Sequence, residues 1–171
     1  TDMVEYFRPN FWPNTPDINP YQLQGANEAQ FIIRYILAAT LSSNTGIYGP
    51  VYEQMVSEAV PGKEEYLDSE KYEIKNWDWN HKNKLTYLIQ KINQQRKIEP
   101  ALQQTRNIEF CPIENDQMIA YIKWDDDLTN ELLIIVNLDP NYAQQANVHI
   151  SFERISLNAD DAFQVHDLIT Q

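Results

Sequence analysis

The chain has 171 residues, and its 13 basic side chains against 25 acidic ones give a formal charge of −12, so nucleic acid and anionic membrane surfaces would be repelled rather than bound. A hydrophobic content of 43% with 12% aromatic excludes a disordered chain and suits one good core or two small ones. The single cysteine, Cys111, excludes an intrachain disulfide, and no apolar run approaches the length of a membrane span. An intracellular protein is the simpler reading, with Cys111 as a small strand residue rather than a nucleophile, and Thr1-Asp2-Met3 lacks the charged-then-apolar pattern of a secretion signal.

In chain order, the first informative stretch is Phe11-Trp12-Pro13-Asn14-Thr15-Pro16-Asp17-Ile18. Pro13 and Pro16 each lock φ and bias Trp12 and Thr15 toward extended backbone, so a strand should end here and no helix should begin before Pro20. The acidic side chain of Asp17 is thereby delivered onto a proline-fixed turn. Asn27 to about Ser43 reads as a helix, with Asn27 as cap, Gln30 three positions on, and apolar residues nearly all round. Such a helix should be covered on most sides. Thr45-Gly46-Ile47-Tyr48-Gly49-Pro50 reads as a short strand closed by Gly and Pro, and the order strand, helix, strand is a βα unit of a parallel sheet.

Val51 to Asn83 has poor periodicity and dense charge, which predicts a long loop, and a loop of that length in a compact domain is usually functional. About Asn83 to Ile98 predicts a second helix, with Leu85, Leu88, Ile89 and Ile92 inside, Lys84, Gln90, Lys91, Gln94 and Arg96 outside, and Pro100 as the stop. After Pro100 the period changes from helical to strand, which puts a domain boundary near Leu102. Met118 to Trp124 alternates, Leu132 to Leu138 is a run built on β-branched residues, and Val148, Ile150 and Phe152 alternate again. Turns at Asn115-Asp116, Asp125-Asp126-Asp127 and Asp139-Pro140-Asn141 separate them, a pattern that suggests an antiparallel β-sandwich.

Three of these segments carry a resemblance. Asn14-Thr15-Pro16-Asp17 resembles the fourth signature region of the α-amylase superfamily, in the version found in maltosyltransferases that use α-maltose 1-phosphate; amylases usually end this region Asn-His-Asp. Glu65-Tyr66-Leu67-Asp68-Ser69-Glu70-Lys71-Tyr72-Glu73-Ile74 resembles a stretch typical of the same transferases, and Leu41 to Pro50 lies between the two in the matching order. The resemblance runs over nearly the whole chain but covers only the C-terminal part of such an enzyme. It implies an α+β fragment: residues 1–101 as the last βα units of a TIM (β/α)8 barrel, and 102–171 as a C-terminal antiparallel β-sandwich, truncated.

The resemblance further implies a retaining transfer of maltosyl units from α-maltose 1-phosphate to the non-reducing end of an α-1,4-glucan, in a cytoplasmic enzyme that is a homodimer at full length. Retaining glycoside chemistry needs a nucleophilic carboxylate, a second carboxyl as acid and base, and groups that grip the sugar hydroxyls as positive charge develops at the ring. Asp17 matches only the last role, as transition-state stabiliser, and the nucleophile and acid would lie on absent strands, which leaves this fragment inactive alone. Lys71 would hold the non-reducing glucose of maltose, with Tyr72 and Asn14 as further sugar contacts. The loop 51–83 would cover the active-site mouth.

Plainer readings stand beside these. Asp17 alone reads equally as a turn or capping residue, and Lys71 by composition as one charge in a solvated run. Trp77 and Trp79 are either a stacking platform for glucan or core. His81, His149 and His166 lack ligand spacing, and Asp125-Asp126-Asp127 lacks the oxygen-ligand loop of a calcium site, so neither metal nor cofactor is expected. Phosphate ligands are expected outside this chain, with Tyr48 at most peripheral. The competing functions are an α-amylase-type glucan hydrolase and a non-catalytic carbohydrate-binding module.

Overall fold

In the computed structural model, which describes residues 2–151, 160 and 162–169, strand β1 (Asn10–Phe11) runs parallel to β2 (Asn44–Thr45), and helix α1 (Glu28–Leu41) is the crossover between them. The cap forms as the sequence dictates, with the Asn27 side chain accepting from Gln30 N at 3.1 Å. No residue of α1 is fully exposed; Phe31, Ile33, Tyr35, Ala38, Ala39 and Thr40 are buried. That is the outcome expected for a helix apolar on nearly every side.

The second strand is shorter than the sequence suggests. Pro50 opens helix α2 (Gly49–Glu53) instead of closing a strand, because its fixed φ and missing N–H suit the first turn of a helix. From α2 comes Tyr52, whose ring meets Phe31 at 5.3 Å and whose hydroxyl donates to Phe31 O at 2.6 Å. Helix α3 (Lys84–Ile98) carries a capping box in which Asn83 and Thr86 satisfy each other's backbone N–H groups. Its Leu85, Ile89 and Ile92 close the first core against Leu23, Phe31, Tyr35, Ala39 and Tyr52. Each such large apolar side chain contributes about 1.5–3 kcal/mol by leaving water.

Arg96 is not on the outer face of α3. Its guanidinium turns inward and donates to the carbonyls of Ala39, Ser42 and Ser43, the last at 2.7 Å, and so closes the C-terminal end of α1, which has no basic residue in its own last turn.

After a single turn at Pro100–Gln103, strands β3 (Ile108–Cys111), β4 (Met118–Trp124) and β5 (Glu131–Asn137) form an antiparallel sheet in the order β3-β4-β5. The hairpin between β4 and β5 is fixed by Asp125, whose carboxylate accepts from Thr129 N, Thr129 Oγ1 and Asn130 N, while Asp126 accepts from Arg106 and Asn107. The buried Asp125 carboxylate is occupied by the turn itself, and the exposed Asp126 carboxylate ties the turn to Arg106 and Asn107 ahead of β3.

Both faces of β4 are covered. On one, Ala120 and Ile122 pack with Cys111, Ile113, Val148 and Ile150. On the other, Tyr121 reaches Thr40 of α1, and Lys123, fully buried, donates to Gln104 O at 2.6 Å. Side-chain bonds therefore cross the boundary expected near Leu102, including Ser43 Oγ to Thr105 Oγ1 at 2.5 Å. Among the described residues the sheet has three strands; Val148 makes only an isolated bridge to Ile113, and Phe152 lies outside those residues. On the face shared with Ala120 and Ile122, Leu133 and Ile135 of β5 remain exposed.

Candidate functional site

Beyond β1 the chain enters the proline-fixed turn. Thr15 N donates to Ile18 O at 3.4 Å and Ile18 N to Thr15 O at 3.3 Å, and this closed turn holds Asp17 out at the surface. The segment that faces it is anchored from below. The Asn19 side chain donates to Ser57 O and Glu58 O, both at 3.2 Å, Asn19 N donates to Glu64 O, and Gln24 reaches Lys63 O. Ala59 and Tyr66 bridge as an antiparallel pair, with Gly62 at φ 76° turning the chain between them. The predicted loop is therefore a built hairpin followed by a lip.

That lip is residues 68–73. Asp68 sits at φ 50°, a left-handed conformation that a short polar residue tolerates. Tyr72 N and Glu73 N both donate to Ser69 O, at 2.9 and 3.0 Å, which curls Lys71 and Tyr72 to the tip. The Lys71 ammonium lies 5.5 Å from the Tyr72 ring centre, a cation–π pair, and Tyr72 is 74% exposed.

Asp17, Lys71 and Tyr72 line one cleft of about 310 Å³, together with Glu65, Asp68 and Glu73. Four carboxylates against one ammonium make it unwelcoming to a phosphate. A neutral polyol that gains positive charge during reaction suits it better, since the field then works in favour of the change.

Asn14 has another employment. It is 1% exposed, its Oδ1 accepts from Tyr48 N at 2.9 Å, and its Nδ2 donates to Tyr48 O at 3.3 Å and to Tyr66 Oη at 3.0 Å. In this conformation the amide is closed to a ligand and ties the end of β1 to the segments on either side.

Sequence reading missed the group behind the lip. Glu70 accepts from the Tyr48 hydroxyl through one oxygen and from Trp77 Nε1 at 2.7 Å through the other. Those two bonds hold the Glu70 carboxyl below the usual range, and burial together with Glu70 pushes Tyr48 up to about 12. Tyr48, Glu70 and Trp77 line a second cleft of about 260 Å³ that shares Tyr66 to Ser69 as a wall with the first. Contacts at such separations leave no local signal; only the density of polar and aromatic residues between 48 and 79 hinted at them. Trp77 is half-buried and Trp79 is 75% exposed, so neither is core.

Elsewhere, Cys111 is buried in β3 and burial raises its thiol, as for a structural cysteine. His149 pairs with Glu114 at 3.2 Å on the surface, and among the described residues no group of three His, Cys, Asp or Glu gathers to hold a metal. No helix of the described residues is long and apolar enough to cross a membrane.

Residues 110–171 match the family described as GLGE, C-terminal. The chain is 48% identical, over 99% of its length, to an α-1,4-glucan:maltose-1-phosphate maltosyltransferase of Chlorobaculum tepidum, of which it covers 26%. Proteins of the same name from Methylacidiphilum infernorum and Corynebacterium glutamicum are 48% and 46% identical over 98% of the chain, which covers 25% and 26% of them. The chain thus spans about a quarter of the length of the curated relatives it matches.

Proposed function

We propose that the chain, which is similar to α-1,4-glucan:maltose-1-phosphate maltosyltransferases over about a quarter of their length, is the C-terminal part of an enzyme that moves maltosyl units from α-maltose 1-phosphate to the non-reducing end of an α-1,4-glucan. The observation that carries the reading is the cleft: Asp17 faces the same space as Lys71 and Tyr72, which lie more than fifty positions after it in the chain. Asp17 is the transition-state stabiliser, its carboxylate gripping sugar hydroxyls more tightly as the ring takes on oxocarbenium character. Lys71 and Tyr72 hold the second glucose of the donor, one by charged hydrogen bonds and the other by a hydroxyl and a ring face. Asn14 acts behind them as a positioning residue. The nucleophile, the acid and the phosphate ligands belong to the remaining three quarters, so the chain alone has no transferase activity.

Residues 1–101 are the last βα units of a TIM barrel, a reading supported by the parallel pair β1 and β2 with α1 as crossover. Residues 102–171 are a β-sandwich, supported by the second layer that Ile113, Val148 and Ile150 begin over β4 and by the apolar face still open at Leu133 and Ile135. The full-length enzyme is a cytoplasmic homodimer.

The test is to incubate the full-length protein with α-maltose 1-phosphate and a maltohexaose acceptor. Release of phosphate with products longer by two glucose units supports the reading. Shortening of the acceptor without growth would make the protein a hydrolase, and an inert mixture would leave a carbohydrate-binding module.

A further inference from the structure

We propose that Glu70 is a positioning residue whose carboxylate, bridging Tyr48 and Trp77, sets the distance between the turn that bears Asp17 and the lip that bears Lys71 and Tyr72. The inference rests on the transferase reading for its consequence in catalysis. Its geometry stands on three successive connections. Asn14, three residues before Asp17, clasps both backbone groups of Tyr48. The Tyr48 side chain then donates to one oxygen of Glu70, and the other oxygen accepts from Trp77 Nε1 at 2.7 Å. Lys71 follows Glu70 directly in the chain. The segment before Asp17 is thus joined to the segment before Lys71 through side-chain hydrogen bonds and the covalent chain between them.

The chemistry of the bridge needs a side chain that meets both partners. Trp77 Nε1 can only donate, whereas the Tyr48 hydroxyl donates here but can also accept. Glu70→Gln can therefore keep both arms by reversing the Tyr48 bond, whereas Glu70→Met keeps the length and loses both; aspartate is a methylene short of spanning both. Glu70 is held below the usual carboxylate range chiefly by its bonds to Tyr48 and Trp77, and Tyr48 remains a protonated donor far above neutral pH, so both arms persist under ordinary conditions. Asp17 is held by the backbone bonds of its own turn, independently of this bridge, so releasing Glu70 moves the Lys71 side of the cleft and leaves the other in place.

Two measurements decide the matter separately. In this chain, amide exchange at Tyr72 and Glu73 should speed about tenfold or more in Glu70→Met, while α1 and β4 keep their protection; unchanged exchange at those amides would overturn the bridge. In the full-length enzyme, Glu70→Met should raise KM for α-maltose 1-phosphate about tenfold with little change in kcat, and should leave the use of α-glucose 1-phosphate nearly as it was. Lys71→Ala added to Glu70→Met should then cost less than it does in the wild type, because Glu70 acts through Lys71. Equal losses for both donors, or strictly additive ones, would reduce Glu70 to a loop fastener and overturn the positioning role. Should the wild-type enzyme transfer no maltosyl units, the transferase reading falls while the exchange measurement still decides the bridge.

Discussion

Thr40 and Tyr121 share a hydrogen bond of 2.5 Å between their side-chain oxygens, and its direction is fixed by a third group. Thr40 spends its only hydroxyl proton on Ile36 O at 2.6 Å, so Tyr121 must be the donor. Helix α1 and strand β4, from opposite sides of the boundary near Leu102, are joined at that point. Both hydroxyls are buried, and burial pushes Tyr121 up to about 12.

Tyr121→Phe should therefore cost about 0.5–1.5 kcal/mol, the net worth of one neutral hydrogen bond, because Thr40 keeps its other partner. Tyr121→Ala should cost about 3–5 kcal/mol by opening a cavity between the two halves. Urea unfolding of the chain measures both, and a single transition lost in Tyr121→Ala but kept in Tyr121→Phe would locate the coupling in the ring rather than the hydroxyl.

Asp17→Asn keeps the shape of the turn and removes the charge. In the full-length enzyme, transfer should fall about 100-fold or more, the loss typical of one group aimed at developing charge. Maltose affinity should suffer less than turnover, and the chain's unfolding midpoint should not move, since Asp17 is exposed and its turn is closed by backbone bonds. Near-normal turnover would return Asp17 to the role of a turn residue.

Lys71→Ala should weaken the two-sugar donor by about 1.5–3 kcal/mol, one charged hydrogen bond, and leave a one-sugar donor almost untouched. Competition between α-maltose 1-phosphate and α-glucose 1-phosphate reads this directly. An equal loss for both would show that Lys71 does not meet the second ring.

Lys123 gives the chain a signature in its pH dependence. Burial, aided by the charge of Arg96, lowers its pKa from 10.5 to about 8. Below about pH 8 both states hold the proton and the cost of the buried charge is fully present. Between about pH 8 and 10.5 the unfolded chain binds a proton that the folded chain has released, so stability rises, by at most about 1.4 kcal/mol per unit. The buried tyrosines act in the opposite sense. Tyr35 and Tyr121, both raised from 10.0 to about 12 mainly by burial, contribute fully below about pH 10 and lose that contribution toward pH 12. Lys123→Met should flatten the rise between pH 8 and 10 and keep the fall above it, as measured by urea midpoints across the range. A rise that survives the substitution would assign it to other groups.

What the sequence made legible was what local physics decides. Asn27 caps α1 where an Asn with Gln30 three residues on predicts it, and α3 starts after Asn83 as its period predicts, with a capping box to Thr86 that the structure adds. β4 appears where alternation puts it, and β5 where the run after the Asp125 turn does. Pro13 and Pro16 by themselves predict the turn at Asp17 that the Thr15–Ile18 bonds close. Proline was ambiguous at Pro50, since one residue type both ends strands and starts helices. The strand β3 went unread because its four residues are too few for a period to stand out. Arg96 and Lys123 were read from charge as outward-facing or merely alternating, yet each turns inward to carbonyls more than fifteen positions away. The same applies to Tyr48, Glu70 and Trp77: composition puts polar groups in a region, but which donor finds which acceptor is settled by the fold.

The inward turn of Arg96 also bears on the order in which the chain folds. Helices α1 and α3 each have their own N-terminal cap and can begin locally, but the last carbonyls of α1 find their donor only when a residue 53 positions after Ser43 arrives. Closing so long an intervening segment costs chain entropy that winding either helix does not. The end of α1, and with it the start of β2, is therefore satisfied only when the two helices are docked. A group that becomes satisfied only after the rate-limiting barrier governs the unfolding rate far more than the folding rate. Arg96 works as a latch on the finished fold, which is where resistance to slow unfolding is built.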